Sequence, residues 1–402
     1  MINLDKFIND CVTGRAESMF KADIEANAAT LAQEIEGKKV LVIGGAGSIG
    51  SSFIHALLPF RPSELVVVDL NENGLTELTR DLRSTYGMYV PERYRTYTLD
   101  FADPIFSNIL ADAGGFDIVA NFSAHKHVRS EKDRFSVQAL LQNNLLKAQG
   151  LMQQLTEYPP KHFFCVSTDK AANPVNIMGA SKRIMEDLIM AYGHRYKVTT
   201  ARFANVAFSN GSLLAGFVER MMKHQPLAAP SDVRRYFVSP RESGEICLLA
   251  CILGQSGEIF YPKLSSDSML TFSEICDRWL NTMGYEKIEC GSEEEARCMA
   301  AKMPAGSKRY PVVYFSSDTT GEKDCEEFYV EGERTNTTRF MSLGVIEESV
   351  HHDETSVRSL FDSLTECFNN PDFTKAEIVA ILQQFLPNFH HEETGRNLDQ
   401  KM

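Results

Sequence analysis

"KKVLVIGGAGSIGSSFIHALLPF", residues 38–60, is the stretch on which the fold turns. "KKVLVIGG" has the composition of a strand and "IGSSFIHALLPF" that of a helix. Between them Gly44, Gly47 and Gly50 fall in a G-x-x-G-x-x-G spacing, with Ser48 and Ile49 inside it. Glycines there let the chain turn tightly and let a pyrophosphate approach the free N–H groups of a helix N-terminus. The glycine pattern alone is weak, but its context is right on both sides. Asp69 also ends the next apolar run, "SELVVVDL", 19 residues after Gly50. An acid at that point can bond a ribose 2′-hydroxyl. It would repel the extra phosphate of NADP, and "DLNENGL" offers no arginine to relieve the clash. The spacing therefore favours NAD over NADP as the cofactor. Asp100, ending "RTYTLDF", sits where a third strand would present an acid toward the adenine, and a strand-end cap is an equal reading.

Working outward, strand-like and helix-like segments alternate. "FDIVANFSA" precedes helical "SVQALLQNNLLKAQGLMQQL", and "HFFCVST" and "KVTTARFANV" flank the helix "SKRIMEDLIMAYG". Continuous apolar runs mark strands covered on both faces. The expected class is α/β, a doubly wound parallel sheet of Rossmann type with a smaller, interleaved C-terminal substrate domain and helical terminal extensions. The expected divisions are a helical extension at 1–37, the NAD-binding domain at 38–206, a substrate-binding region at 207–345 and a helical tail at 346–402. Capping boxes are expected at Thr271/Glu274 and Ser292/Glu295.

At 402 residues, with 43% apolar and 24% charged residues, the chain has an ordinary globular composition. A net charge of −13 argues against non-specific binding to nucleic acid or to an anionic membrane. The nine cysteines show no CxxC and no pairing rhythm, which fits a reducing cytoplasm. Cys247 and Cys251, in "ICLLACIL", read as a buried helix face. No signal peptide opens the sequence and no apolar run reaches ~18 residues, so a soluble cytoplasmic protein is expected.

A second stretch, "HFFCVSTDKAANPVNIMGASKRIMEDL" (162–188), carries the chemistry. Its apolar strand ends in Ser167-Thr168-Asp169-Lys170, and Met178 lies four residues before Lys182, on the same face of a helix. Read alone, "STDK" is as well explained by a turn with solvated charges. With these residues in view the chain resembles the extended short-chain dehydrogenases/reductases. More narrowly, it resembles their polysaccharide-biosynthesis branch, which contains the UDP-N-acetylglucosamine 4,6-dehydratases. The resemblance runs from about Lys38 to Val345 through "GGAGSIG", "NFSAHKHV", Asn143-Asn144, "VSTDKAANPVNIMGASKR", "RFANVAFSNGSLL" and "TTGEKDCEEF".

That resemblance implies an active site at the carboxyl ends of the strands, bound NAD and a UDP-linked amino sugar. The implied reaction oxidises carbon 4, eliminates water across carbons 5 and 6, and returns the hydride to carbon 6. It also implies a homodimer or larger assembly, built partly from the helices beginning near Ser136 and Ser181. Ser123 and Ala124 would line the cofactor, and Lys182 would bond its nicotinamide ribose. Thr168 would bond the carbon 4 oxygen, and Asp169 would protonate the leaving hydroxyl. Lys170 would take the carbon 5 proton, which requires its pKa to be pulled down. Lys126 and His127 would face the sugar or cofactor. Asn205 and Arg235 would contact the diphosphate, with a surface ion pair the plainer reading of Arg235. Glu322 and Lys323 would close over the nucleotide. Asn144 has a structural role as readily as a catalytic one.

Met178 stands where most of the superfamily has a tyrosine, and a thioether cannot take the 4-hydroxyl proton. Lys182 acting through a water, or Asp169 serving twice, are the open routes. Two other functions stay in view. A 4-epimerase would gain nothing from Asp169-Lys170, and a silent dinucleotide-binding regulator would need neither Asp169 nor Lys182. His125 and His127 lack a third ligand cluster, so no metal is expected. The pairs His351-His352 and His390-His391 read as chemically silent.

Overall fold

The computed structural model describes residues 3–317 and 326–391, apart from the side chain of Arg129. Among them runs a nine-stranded sheet formed by β1 (Lys39–Ile43), β2 (Glu64–Asp69), β3 (Arg93–Thr98), β4 (Ile118–Asn121), β5 (His162–Val166), β6 (Val198–Ala201), β7 (Ile259–Pro262), β8 (Arg334–Asn336) and β9 (Leu343–Glu348). The spatial order is β8-β9-β7-β6-β5-β4-β1-β2-β3. From β3 to β7 the strands are parallel, while β9 and β8 are added antiparallel at one edge. The order reverses at β1, which pairs with β2 on one side and β4 on the other. Open α/β sheets bind ligands outside the carboxyl ends at such a reversal.

Alternate residues of the inner strands feed two separate cores. Val40, Val42, Leu65 and Val67 point to one face, where α1 (Ser48–Leu57), α2 (Glu72–Ser84) and α6 (Pro240–Leu253) pack. Leu41, Ile43, Val66 and Val68 point to the other, under α3 (Pro104–Ala113), α4 (134–157) and α5 (Ile177–Ala191). Burial on both faces is why β1, β2, β4 and β5 read as nearly continuous apolar runs. β3 departs from that pattern: "RYRTYT" is polar and half exposed, because it is an edge strand.

After β6 the chain builds a smaller unit around a parallel three-stranded sheet of Leu227–Pro230, Arg309–Phe315 and Glu286–Glu289. It does not stay there. α6 returns to pack on α1, and β7, β8 and β9 rejoin the large sheet. The boundary expected at 206/207 therefore divides the chain but not the sheet.

Both terminal extensions are integral to the packing. Phe7 meets Trp279 edge-on at 5.0 Å, and Leu31 and Ile35 are fully buried against the first core. Arg15 forks onto Glu242 with two bonds of 2.7 Å, at the capping box that starts α6. The C-terminal helices α7 (Glu354–Asn369) and α8 (Lys375–Phe385) bury Leu360, Phe361, Leu364, Ile378 and Leu382 against α4 and α5. The helices expected to meet a second subunit thus carry the chain's own tail on this face. The Thr271/Glu274 capping box forms, but only half of Ser292/Glu295 does, because Glu295 turns its carboxylate to the Gly291 amide instead.

Candidate active site

The glycine loop sits at the carboxyl ends of β1 and β4. Gly44 adopts a left-handed φ of 74°, and a Cβ there would lie 2.6 Å from the Ser123 nitrogen. A Cβ on Gly50 would lie 2.4 Å from the Gly44 carbonyl oxygen. The bend and the close approach of α1 both exclude side chains. Gly47 precedes α1, and no side chain caps that helix. Asp69 faces the loop and accepts the Ala46 and Asn71 amides, each at 2.9 Å. Asp100 accepts the Ala102 amide, as a strand-end cap would, and pairs with Lys147. This cradle fits a dinucleotide: a tight loop, an uncapped helix start and an acid at the second strand end.

A further loop lies over the start of α1. Ser48 Oγ accepts the Asn210 amide at 2.8 Å, and Lys126 Nζ donates to the Asn210 carbonyl at 2.9 Å. The His127 ring stands close to Gly211. Burial pulls the Lys126 ammonium below its ordinary pKa. Ser48, Lys126 and His127 are thereby gathered at one mouth.

At the end of β5 the reactive residues form a chain of contacts. Thr168 Oγ1 donates to Asp169 Oδ1 at 2.5 Å, and Lys170 Nζ lies 3.2 and 3.3 Å from the two Asp169 oxygens. Asp169 is buried, while Lys170 keeps 30% of its side chain exposed. The first turn of α5 is pressed against this turn, since a Cβ on Gly179 would stand 2.6 Å from the Lys170 carbonyl oxygen. Met178, the residue before Gly179, is buried in the core beneath the sheet. Glu131 anchors the helix start, accepting the Ile177 amide at 3.1 Å and the Met178 amide at 2.8 Å. One turn on, Lys182 is buried and donates to the Val166 carbonyl at 2.9 Å. Burial pulls its pKa down.

Asn144 clamps the His125 backbone, accepting its amide at 2.8 Å and donating to its carbonyl at 3.0 Å, and also reaches Ser181 Oγ at 3.1 Å. It can do so because Gln142–Leu146 widens α4 to π spacing. Such turns aim side chains that a regular helix would not. Asn144 is thus a positioning residue for the His125–His127 segment.

Asn205 and Arg235 are brought together by Glu326, which the sequence reading passed over. Asn205 Nδ2 donates to Glu326 Oε1 at 2.5 Å, Arg235 Nε lies 3.6 Å from the same oxygen, and the Tyr236 amide donates to Oε2 at 3.0 Å. Arg235 is therefore buried and not part of a surface pair. The available signal was the third acid of "TTGEKDCEEF". Glu322 and Lys323 lie outside the described residues. Burial, reinforced by the Asp169 charge, pushes the Glu326 carboxyl up to about 8. Lys170 departs from expectation for the same reason. Burial pulls its ammonium down, but the Asp169 and Glu326 carboxylates outweigh it and hold the pKa above the ordinary lysine value.

His351 and His352 are not silent either. Their Nδ1 atoms take the two oxygens of fully buried Asp187, at 2.8 and 2.9 Å, and so fasten the tail to α5. Cys247 and Cys251 are buried on α6, as read. No helix among the described residues is long and apolar enough to cross a membrane.

The sheet order, the glycine cradle and the β5–α5 constellation define a short-chain dehydrogenase/reductase-type fold. The chain belongs to the polysaccharide biosynthesis protein family, whose model matches residues 40–343. It is 35% identical over 301 residues to the uncharacterized membrane protein MJ1061 of Methanocaldococcus jannaschii, covering 73% of this chain and 85% of that one. It is 27% identical over 240 residues to the inverting UDP-N-acetylglucosamine 4,6-dehydratase of Campylobacter jejuni, covering 57% and 68%. It spans about half, 48%, of the capsular polysaccharide biosynthesis protein CapD of Staphylococcus aureus. UDP-glucose 4-epimerases are matched as well. The crystal structure of DesIV, the dTDP-glucose 4,6-dehydratase of Streptomyces venezuelae with NAD and TYD bound, superposes with a TM-score of 0.52 at 21% identity. That match covers 70% of this chain and 88% of DesIV, a likeness of fold.

Proposed function

We propose that this chain is an NAD-dependent nucleotide-sugar 4,6-dehydratase acting on UDP-N-acetylglucosamine. The observation that carries the reading is the contact of Lys170 with buried Asp169 at the end of β5, followed on α5 by Met178 where a phenol base would otherwise be expected. The family and the dehydratases among its relatives support it. Gly44, Gly47, Ser48, Ile49, Gly50, Asp69, Asp100, Ser123, Ala124 and Lys182 would hold the dinucleotide. When bound, its nicotinamide supplies the acceptor and donor of the hydride.

A hydrogen on carbon 5 is acidic only when carbon 4 is a carbonyl. Its removal needs an amine or carboxylate, and the departing 6-hydroxyl needs a proton. One proton passed from Lys170 Nζ to Asp169 Oδ1, across 3.2 Å, turns ammonium and carboxylate into amine and carboxylic acid. The base and the acid are then made together, with no net change of charge. Thr168, donating to the same Asp169, would turn to the carbon 4 oxygen once substrate is present. Lys126, His127, Asn205 and Arg235 would receive the sugar and its diphosphate; an arginine fork suits a pyrophosphate.

The test is mass spectrometry of UDP-N-acetylglucosamine incubated with the protein and catalytic NAD. Loss of one water without net reduction of NAD is expected, and Asp169→Asn and Lys170→Ala should each abolish it. A sugar isomer of unchanged mass would make the chain an epimerase. No turnover with this or other nucleotide sugars would make it a binding protein.

A further inference from the structure

We propose that Phe7 and Phe208 are positioning residues of the dinucleotide cradle: their rings, packed with Trp279, hold the backbone of Asn210 across Ser48 and Lys126. The inference rests on the reading of that cradle as an NAD site for its effect on binding, though not for the packing itself.

The segment from Val206 to Ser212 is two hydrogen-bonded turns end to end. The Ser209 amide donates to the Val206 carbonyl at 3.2 Å, and the Ser212 amide to the Ser209 carbonyl at 2.9 Å. Each turn has a left-handed residue at its third position. In the second turn it is Gly211, at a φ of 74°, where glycine is the expected residue. In the first it is Phe208, at a φ of 55°. A β-carbon disfavours that conformation, so a bulky residue keeps it only where its surroundings hold it there.

Those surroundings are aromatic. Phe208 is buried, with its ring edge-on to Phe7 at 5.8 Å and tilted against Trp279 at 5.4 Å. Phe7 closes the helical turn Leu4–Phe7. The chain beyond it is fastened where Arg278 donates to the Cys11 carbonyl at 2.6 Å and where Arg15 forks onto Glu242. A segment far away in sequence thus supplies one wall of the seat in which Phe208 rests.

What the seat supports lies two residues on. The Asn210 amide reaches Ser48 Oγ, and its carbonyl receives Lys126 Nζ. Both contacts use the Asn210 backbone, so they depend on where the turn places it and not on its side chain. Ser48 opens α1, at the uncapped end where a pyrophosphate would lie. A turn free to swing would leave that side of the cradle unformed, and a dinucleotide would have to order it on binding.

The test compares three variants with the wild-type chain by calorimetric titration of NAD, well below their melting temperatures. Phe7→Ala removes one wall of the seat. Phe208→Gly removes the seated ring while supplying the residue that best tolerates a left-handed φ, so it lowers affinity only if the ring matters. Each should bind NAD about tenfold more weakly, the scale of losing aromatic contacts of this kind. Leu31→Ala, in the same extension but in the core beside the sheet, should lose stability and leave the affinity unchanged. Unchanged affinity in either ring variant, or an equal loss in Leu31→Ala, would overturn the proposal. A second readout needs no ligand. Hydrogen exchange over 208–212 reports the Ser209, Asn210 and Ser212 bonds, and Phe7→Ala should speed it several-fold. Unchanged exchange refutes the seat. Faster exchange, with a wild-type chain that binds no NAD, would sink the dinucleotide reading and leave the seat standing. Should Phe7→Ala fail to fold, the wild-type chain decides. By linkage, saturating NAD must slow exchange at 4–13 as well as at 208–212 while 28–35 stays unchanged, and no slowing at 4–13 refutes the proposal.

Discussion

Gly244 lies in the middle of α6, where propensity alone says that alanine is the better residue by roughly 0.5–1 kcal/mol. The packing says the reverse. α6 crosses α1 so closely that a Cβ on Gly244 would stand 2.1 Å from the Ser52 carbonyl oxygen, 2.3 Å from its carbon and 2.8 Å from the Phe53 nitrogen. All three are backbone atoms inside a helix and cannot swing aside. The two helices must part by about 1 Å, in a region where Phe53, Ile54, Ile246 and Cys247 are fully buried. Overpacking of this kind costs typically 1–3 kcal/mol, and a backbone clash belongs at the upper end. Against a propensity gain below ~1 kcal/mol, the expected net loss is about 2 kcal/mol. A chain of this size should then melt lower by about 2–5 °C. Gly150→Ala is the matched control, since its Cβ would meet nothing within 4 Å and α4 should gain the propensity term. Thermal melts of the two variants beside the wild type should move in opposite directions. Because α1 carries Ser48–Gly50 at its start, Gly244→Ala should also weaken NAD binding in a titration. A Gly244→Ala chain as stable as Gly150→Ala would refute the helix contact and the cradle position that depends on it.

Two further substitutions test other parts of the site. Burial opposes ionisation of Asp187, but the His351 and His352 hydrogen bonds and the Arg183 charge outweigh it and hold the carboxyl below its usual range. A depressed carboxylate contributes stability above its unfolded pKa of about 3.9, which is lost as the pH falls through the folded value. Asp187→Asn should lower unfolding free energy by about 1–3 kcal/mol at neutral pH. In urea melts its deficit against wild type should shrink below about pH 4; a deficit that does not change with acidification would remove the clamp. Lys182→Met should prevent oxidation at carbon 4, whereas Lys170→Ala should stop after it. With stoichiometric NAD, mass spectrometry should then find a bound sugar lighter by one hydrogen molecule in Lys170→Ala alone, and its appearance in both variants would separate Lys182 from that step.

What was legible in the sequence was what neighbours along the chain decide. The glycine loop, Asp69 and the β5 ending lie on single strand–turn–helix units, so spacing alone places them. Asn144 could be picked out, but not the widened turn that aims it, because i to i+4 periodicity assumes a regular helix. The charge state of Lys170 was out of reach because Glu326 arrives from far along the chain and reverses what burial would do. The His351–Asp187–His352 clamp was hidden for a related reason. Asp187 reads as a solvent-facing helix residue until the tail covers it, and the histidines read as tail residues until α5 is beneath them. Nothing in the sequence marks Gly244, since only the crossing of α1 shows what its missing side chain permits.

The end of β5 treats two lysines in opposite ways, and this bears on the thioether at Met178. Lys182 donates to the Val166 carbonyl, and burial outweighs the opposing Cys165 and Glu186 charges and lowers its pKa. Lys170 faces the Asp169 and Glu326 carboxyls, which outweigh its burial and raise its pKa. Groups whose environments drive their pKa values apart divide acid and base work between them. If the proposed dehydratase reading holds, Lys182 acting through a water would on that ground be the better of the two open routes for the 4-hydroxyl proton. Asp169 is already committed to Thr168 and Lys170. Glu131 secures the start of α5 through the backbone amides of Ile177 and Met178, so the helix does not depend on what side chain position 178 bears. A methionine there offers no proton acceptor, while Lys182, one turn on, has its pKa lowered by burial. The substitution that seemed to subtract a catalytic group thus fits a site whose proton traffic runs through lysines and buried carboxyls.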